Sequence, residues 1–249
     1  MVPDRRGAGG GPGAVGGRRR RRRESRSSAG ENRLWPALAV LVAALTYAVL
    51  PESLLVGPRL AIPAVELALL AALLVTNPRR MIRQTRWSRA VSIVLACVVI
   101  GTNLVALGML VRSLTSGDPG GLPLLVAGMQ VWLTNVIGFG LLFWEVDRGG
   151  PVARHTVARD RLPPADWRFS QDENQDTVTE VAASSSVRSN WRPELVDYLY
   201  VSLTNSSAFS PTDTMPLTPR AKALMGLEAT AALLTSLLVV ARAIGALGQ

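Results

Sequence analysis

Long apolar blocks separated by shorter polar stretches form the main pattern of this chain. A helix that crosses a bilayer needs about 20 mostly apolar residues, with a range of roughly 17 to 25. Five blocks reach that length. The pattern therefore predicts an all-α, polytopic helical membrane protein with about five transmembrane helices. The predicted spans are Leu34–Leu50, Leu60–Thr76, Ala90–Val111, Leu122–Trp144 and Ala221–Leu247.

The first two blocks are the shortest, because each holds only 17 residues. Pro51, Gly57 and Pro58 lie between them and favour a tight turn, so the pair is predicted to form a helical hairpin. Glu66 lies within the second block, where a carboxylate is destabilising unless it is paired, protonated or facing a cavity. Two interpretations of Glu66 stay open. It is either a polar group that lines a transport pathway or makes a packing contact, or a carboxyl group near a helix end that reaches water.

Two polar regions flank these blocks. The first is rich in Gly, Arg and Ser and holds almost no large apolar residue, which predicts a disordered cytoplasmic tail. The second carries mixed charge, with Pro163-Pro164 and a serine run at 184–186, and is predicted to be a polar loop that is partly disordered. The predicted domains are a basic tail (1–33), a four-helix transmembrane region (34–144), the polar loop (145–192) and a C-terminal part (193–249).

The net charge of +9 comes mainly from arginine, in a run at 18–23 and a cluster at 79–89. Basic clusters beside apolar spans are typical of cytoplasmic segments, and they also favour contact with anionic lipid headgroups. No aromatic platform or folded basic domain accompanies the arginines, so nucleic acid is not expected as a partner. Lys222 is the only lysine, which is typical of a GC-rich bacterial genome. The predicted partner is the lipid bilayer, and the predicted location is the plasma membrane of a bacterium.

Candidate catalytic chemistry is sparse in the sequence. Cys97 is the only cysteine and lies inside an apolar block, and His155 is the only histidine. No nucleophile with a neighbouring base, no metal-ligand spacing and no phosphate-binding loop accompanies them, so neither an enzyme nor a cofactor or metal site is predicted. Asn103, Gln130 and Asn135 lie inside predicted spans and are interpreted as hydrogen-bonding groups between helices.

The C-terminal stretch contains the most informative order of residues. Pro193 to Leu203 predicts a short amphipathic helix, which is too short to cross a bilayer. A run of hydroxyl and amide side chains follows, then Asp213 and Pro216, and the last apolar block closes the stretch. This order predicts a short re-entrant, pore-helix-like segment before the last transmembrane helix. A loop lying at the membrane interface is the alternative.

The same order resembles the pore half of two-helix potassium channels, whose usual run is roughly S-F-T-T-L-T-T-V-G-Y-G-D-x-x-P-x-T. The chain has S-L-T-N-S-S-A-F-S-P-T-D-T-M-P-L-T at 202–218, aligned without a gap. The resemblance covers about the last quarter of the chain. The positions that match the family's run are Ser202, Thr204, Asp213, Pro216 and Thr218.

The filter positions depart from this family. A potassium filter uses rings of backbone carbonyls, and glycine tolerates the backbone angles that point them inward. Ser210 and Thr212 stand where the family has its glycines, and Pro211 stands where it has tyrosine. Proline fixes its own φ angle and lacks an N–H group. Potassium selectivity of the usual kind is therefore not expected.

The resemblance also implies an assembly and a set of site residues. One subunit cannot enclose such a pore, so a homo-oligomer is implied, and a tetramer if the resemblance holds. Glu228 stands where these channels often carry a glutamate behind the pore helix, which implies that it anchors the loop. The implied pore-loop residues are Thr204, Asn205, Ser206, Ser207, Ala208, Phe209, Ser210, Pro211, Thr212 and Asp213.

The expected orientation conflicts with the resemblance. The arginine-rich tail and the 79–89 cluster place the amino terminus in the cytoplasm, and four spans then place the 145–192 loop there as well. A pore loop that enters from the cytoplasm is the reverse of the family's arrangement. Two functions stay open: an ion channel without the usual potassium selectivity, and a non-conducting membrane scaffold or partner-binding protein.

Overall fold

The computed structural model describes residues 30–55, 57–76, 81, 85–115, 121–207 and 214–247 of the protein. The α-helices are α1 (Leu34–Ala48), α2 (Ala61–Thr76), α3 (Arg86–Thr115), α4 (Gly121–Val146), α5 (Pro151–Thr156), α6 (Thr179–Ala182), α7 (Ser186–Ser189), α8 (Leu195–Ser206) and α9 (Pro219–Leu247). Single 3₁₀ turns lie at Glu52–Leu54, Asp147–Gly149, Arg159–Arg161, Ser170–Asp172 and Asn174–Asp176. Two short strands, β1 (Trp167–Arg168) and β2 (Met215–Pro216), pair antiparallel.

Three of the described helices are long and apolar enough to cross a membrane. These are α3, α4 and α9, with apolar stretches of 28, 28 and 26 residues and mean hydropathies of 2.4, 1.6 and 1.9. Three such helices indicate a membrane protein. Helices α1 and α2 are also apolar, but their 15 and 16 residues correspond to only about 22–24 Å of helix. The helical class predicted from the sequence therefore agrees with the structure, which assigns three helices of spanning length.

Hydrogen bonds link several helix ends at one side of the bundle. The Met81 N–H donates to the Glu31 carbonyl at 3.2 Å, and the Glu31 carboxylate accepts from the Leu195 N–H at 2.7 Å and from Trp144 Nε1 at 2.9 Å. These bonds join Glu31, three residues before α1, to a residue after α2, the end of α4 and the start of α8. We call this side the arginine-rich end and define it by residues 30–33, 81, 85–89, 145–195 and 214–220.

The α1–α2 hairpin turns at the opposite end of the bundle. Gly57 has a φ of 80°, a conformation that glycine adopts without strain. Arg59 donates from Nη1 to the Ala48 and Leu50 carbonyls at 2.8 and 3.0 Å, which satisfies acceptors left free at the end of α1. Leu54 is fully buried in an apolar cluster that also holds residues of α3 and α4. The predicted tight turn is thereby present.

The segment 145–192, predicted as a partly disordered polar loop, contains a packed core. Trp167 is fully buried, and its ring centroid lies 4.7 Å from that of Phe143 and 6.3 Å from that of Tyr198. Arg154 is also fully buried, with its guanidinium carbon 4.9 Å from the centre of the Tyr198 ring. The apolar residues of this segment are few and widely spaced. Their burial depends on α4 and α8, so a local pattern does not reveal it.

The end of the predicted disordered tail is likewise ordered. Glu31 and Arg33 are only 6% and 7% exposed. Composition alone shows no partner for a polar segment, so it places both residues in the tail. In the structure, Glu31 is buried because α4 and α8 supply hydrogen-bond donors to it. The rest of the predicted tail, residues 1–29, lies outside the described residues.

Candidate pore-loop site

Helix α8 lies between α4 and α9 and covers only half the length of α4. Near its start, the Tyr198 hydroxyl donates to the Asp147 carboxylate at 2.5 Å, just beyond the end of α4. At its end, Trp132 Nε1 in the middle of α4 donates to the Ser206 carbonyl at 3.3 Å. Its 12 residues correspond to about 18 Å of helix. The helix therefore starts at the arginine-rich end and stops at mid-height of the bundle.

The start of α8 is determined by a set of acidic side chains. The Glu194 N–H donates to the Asp197 carboxylate at 2.7 Å, as part of a capping box that replaces missing intrahelical bonds. The Leu195 N–H donates to the Glu31 carboxylate, which is favoured at the positive end of the helix dipole. Burial raises the pKa of Glu31, and the charge of Arg154 partly offsets that increase. The observed helix begins two residues after the predicted start at Pro193.

The second half of α8 is held by one buried carboxyl group of α9. Glu228 is fully buried, and it accepts hydrogen bonds from the hydroxyls of Ser202 and Ser206 and from Asn205 Nδ2. The Asn205 bond measures 2.6 Å and the Ser206 bond 3.1 Å. Three donors one turn apart or less thus converge on a single side chain. Glu228, Ser202, Asn205 and Ser206 are called the Glu228 cluster below.

Helix α4 joins this cluster from the other side. Asn135 Nδ2 lies 3.3 Å from both Ser206 Oγ and the Glu228 carbonyl, and it donates to them. Ser202 Oγ also lies 2.8 Å from the Val136 carbonyl, so its one hydroxyl hydrogen is shared between that carbonyl and Glu228. Buried polar groups are strongly destabilising when they lack partners, so these bonds favour one relative position of the three helices.

The approach of α8 to α4 is close because of a glycine. A Cβ atom added at Gly140 would lie 3.2 Å from Leu199 Cα and 2.7 Å from Leu199 Cδ2. A larger residue would have to move the α8 backbone away from α4. Glycines inside apolar spans permit the close approach of a neighbouring backbone, and Gly140 positions α8 in this way through packing alone.

The start of α9 is attached to the arginine-rich end by Asp166. This carboxylate is fully buried and accepts from Thr218 Oγ1 at 2.5 Å and from Arg220 Nε at 2.6 Å. The Asp166 carbonyl accepts from the Leu217 N–H at 2.7 Å, next to the β1–β2 pair. Residues 214–218, which lead into α9, therefore lie at the end at which α8 begins.

The implied pore-loop residues that the structure describes fall into two groups. Asn205 and Ser206 belong to the Glu228 cluster. Thr204 and Ser207 are half-buried and donate to carbonyls of their own helix, at 2.7 Å to Tyr200 and 2.7 Å to Leu203 respectively. The remaining residues, 208–213, lie outside the described residues.

Several positioning residues were not predicted from the sequence. Glu31, Asp147 and Asp166 each accept a hydrogen bond that places α8 or α9, although they lie far from these helices in the chain. Of the three, only Asp147 has a signal in the sequence: it closely follows an apolar span, where an unpaired charge is unfavourable. Asn135 was interpreted as an interhelical hydrogen-bonding group, and its bonds to Ser206 and Glu228 are of that kind.

The resemblance to pore-loop channels is carried by the run at 202–218. In the structure, the described part of this run includes the end of α8, the β2 strand and the segment that leads into α9. The family itself stays a prediction, because comparisons with protein-family models, with curated proteins and with solved structures find no match for this chain.

Proposed function

We propose that this chain is a multi-pass plasma-membrane protein whose α8 is a re-entrant helix, and that α8 and residues 204–213 form a pore loop for cations in a homo-oligomer. The observation that carries the proposal is the position of α8, which begins beside the end of α4 and stops beside Trp132 and Asn135 in its middle. A helix of about 18 Å reaches roughly half-way through a hydrocarbon layer of about 30 Å.

The proposed topology has five crossings, by α1, α2, α3, α4 and α9. It is supported by the arginine-rich end, which gathers residues before α1, after α2, at the end of α4 and at the start of α9. Each hairpin thus returns to one side. The two short helices cross by local thinning of the bilayer, which costs only fractions of a kcal/mol per Å.

The proposed selectivity for cations follows from the direction of α8. The carboxyl end of a helix carries a partial negative charge, equivalent to roughly half an elementary charge. In this topology that end lies at membrane depth, where non-helical backbone is tolerated only inside protein or beside a water-filled cavity. Asp213 adds a carboxylate to the same loop. Arg154 and Arg220, in contrast, lie at the arginine-rich end.

The proposed pore loop enters from the cytoplasm. Residues at the arginine-rich end include Arg33, Arg86 and Arg89, and short basic segments of this kind are retained on the cytoplasmic side. This direction is opposite to that of the potassium channels that the C-terminal run resembles. A single cysteine in place of Glu180, which is exposed, with Cys97→Ala as background, tests it. Labelling by an impermeant reagent in intact cells would contradict the cytoplasmic location.

The conducting function is tested by cation flux into vesicles that contain the purified chain. We expect flux above that of protein-free vesicles, and a reduced flux for Asp213→Asn because the loop loses its carboxylate. Asp160→Asn makes the same charge change at an exposed position of the 145–192 segment and serves as the control. Equal flux in both variants and the unmodified chain would remove Asp213 from the pathway.

A second candidate function is a non-conducting membrane scaffold. It is favoured because the polar side chains of α8 already have hydrogen-bond partners within one subunit. These partners are Glu228, Asn135 and Val136. In this case no protein-dependent cation flux is expected, and changes in the Glu228 cluster alter stability alone. The vesicle experiment therefore separates the two functions.

A further inference from the structure

Four arginines surround one cavity at the arginine-rich end, outside the Glu228 cluster. The cavity has a volume of about 150 Å³ and is lined by Arg148, Arg154, Arg159 and Arg192 together with the apolar atoms of neighbouring residues. Those neighbours are Leu162, Pro163, Ala165 and Pro193. No carboxylate is among the lining residues, and the exposed positions of Arg159 and Pro163 place one side of the cavity at the protein surface.

The deepest of these arginines has unused donors. Arg154 is fully buried, and its Nη1 donates to the Trp144 carbonyl at 2.7 Å and to the Asp147 carbonyl at 2.9 Å. Its Nε and Nη2 have no hydrogen-bond acceptor among the described residues, and the nearest carboxylate oxygen, on Glu31, lies 3.9 Å from Nη2. A buried, charged donor without an acceptor is strongly unfavourable. A ligand that supplies acceptors would remove that penalty.

Arg159 and Arg192 add charge that carboxylates do not neutralise. Arg159 donates to the Trp191 carbonyl and Arg192 to the Val157 carbonyl at 3.4 Å, and no described carboxylate lies within ion-pair distance of either. Burial lowers the pKa of Arg192, and the charge of Arg159 lowers it further. Arg148 differs, because it donates to Asp172 at 2.6 Å and lies 3.8 Å from Asp147. Burial lowers the pKa of Arg159, and the charge of Asp172 raises it from a distance, but neither Arg159 nor Arg192 is in direct contact with a described carboxylate.

We propose that this arginine pocket, formed by Arg148, Arg154, Arg159 and Arg192, binds a phosphate-bearing anion. Guanidinium groups match phosphate oxygens in paired hydrogen bonds, and a phosphate offers acceptors in several directions. A doubly charged phosphate balances the two unpaired cations of Arg159 and Arg192 while its oxygens accept from Arg154. A carboxylate carries one charge and two oxygens, and it leaves one of these cations unbalanced.

Two sources of phosphate fit the position of the pocket. It lies beside the end of α4 and next to Pro193, two residues before α8, and therefore at the height of lipid headgroups in the proposed topology. The ligand is either the phosphate monoester of an anionic lipid such as phosphatidic acid or free inorganic phosphate, since each can carry two negative charges. Both present the same chemistry to the pocket, so binding experiments have to separate them.

The test is titration calorimetry of the full chain in an uncharged detergent. One arm uses inorganic phosphate against chloride at equal ionic strength. The other arm uses a short-chain phosphatidic acid against the matching phosphatidylcholine. We expect saturable binding in at least one arm, and a loss of affinity of about tenfold or more in the double variant Arg159→Gln/Arg192→Gln, because charged hydrogen bonds are lost.

Arg161→Gln is the matched control, since Arg161 is exposed in the same segment but does not line the cavity. It is expected to keep the affinity of the unmodified chain. The arginine run at 18–23 is present in every variant, so its attraction for anions is the same throughout. Binding in the phosphate arm identifies free phosphate as sufficient, and binding in the phosphatidic acid arm alone identifies a lipid headgroup.

Three results would overturn the proposal: no saturable binding in either arm by the folded chain, unchanged affinity in the double variant, or an equal loss in Arg161→Gln. Unfolding curves recorded without ligand show whether each variant is folded. If the double variant does not fold, Arg192→Lys replaces it. This change keeps the charge but removes the planar guanidinium group with its paired donors, so the affinity for the phosphate ligand has to fall. Unchanged affinity would again contradict the proposal.

Discussion

Two apolar regions of the molecule are held in place by different interactions. One is the unit of α4, α8 and α9, and the other is the hairpin of α1 and α2. In the unit, buried polar side chains of all three helices meet at Glu228 and Asn135. In the hairpin, the residues buried on α1 are mostly small or apolar, as at Ala37, Ala43 and Ala44. The hydrogen bonds of Arg59 lie at its turn instead of its centre.

In the proposed topology lipid surrounds both regions, and this difference then determines how firmly each is held. Within a bilayer no hydrophobic effect drives apolar helices together, so they associate through close packing and hydrogen bonds. Van der Waals packing of small residues is less directional than hydrogen bonds between buried polar side chains. A buried carboxyl group with three donors permits one depth and one rotation. The unit is therefore expected to hold α8 rigidly, whereas the hairpin adapts to bilayer thickness.

The largest expected effect is that of Glu228→Ala. Removing the carboxyl group takes one acceptor from each of Ser202, Asn205 and Ser206, although Ser202 keeps the Val136 carbonyl and Asn205 keeps the Met225 carbonyl. We expect a loss of about 2–4 kcal/mol in the free energy of unfolding, because a buried hydrogen-bond network loses its shared acceptor. Thermal unfolding in detergent measures it. Glu66→Ala in α2 is the comparison, because Glu66 is also buried but its Oε2 has no described partner. An equal loss in both variants would show that the hydrogen bonds of Glu228 stabilise the protein no more than the burial of Glu66 does.

The next effect is steric and concerns Gly140→Ala. The added Cβ would meet the Leu199 backbone, so we expect a destabilisation of about 1–3 kcal/mol. Gly108→Ala in α3 is the matched control, since nothing lies within 4 Å of its added Cβ. That control is expected to stabilise by up to about 1 kcal/mol, because glycine is a poor helix residue. Changes of the same sign in both would show that α8 is not closely packed on α4.

A smaller effect is expected from pH at the arginine-rich end. Burial lowers the pKa of His155 to about 4, and Arg154 and Arg192 contribute to that shift. An unfolded histidine has a pKa of about 6.5, so the unfolded state binds more protons between these values and stability falls with falling pH. We expect a loss of about 1–2 kcal/mol near pH 5.

His155→Gln is expected to remove this part of the pH dependence. The raised pKa of Glu31 acts in the opposite direction, because a carboxyl group that is harder to ionise when folded is stabilised by acid. Unfolding curves of the unmodified chain and of His155→Gln at several pH values separate the contribution of His155 from that of Glu31, since Glu31 is present in both. Parallel profiles would show that His155 does not titrate as its burial predicts.

The smallest effect is expected in the hairpin. Glu52 lies 3.6 Å from Arg59, but its side chain is 89% exposed, so Glu52→Ala should change stability by less than about 0.5 kcal/mol. Arg59→Ala is expected to be more destabilising, because Arg59 also donates to the Ala48 and Leu50 carbonyls. A large loss in Glu52→Ala, measured by thermal unfolding, would show that ion pairing holds the hairpin.

Sequence patterns predicted the helices well and the site only in part. Continuous apolar runs reveal α3, α4 and α9 because their length and composition are local properties. The short helix α8 was predicted from Pro193 and its apolar face, with its bounds displaced by two or three residues. The ordered core around Trp167 was missed, because it is completed by Phe143 and Tyr198 from other helices.

The amino-acid sequence alone determines that this chain has long apolar helices and that its amino-terminal segment is rich in arginine. It also determines that the last quarter has the order of a short helix, a polar run and a long helix. The tertiary structure decides which charges are buried and what they contact. Glu31 binds the start of α8 from 164 positions away, and Arg154 has donors without acceptors in a cavity of arginines. Such contacts depend on the packing of distant elements, because burial and partners are properties of the folded chain.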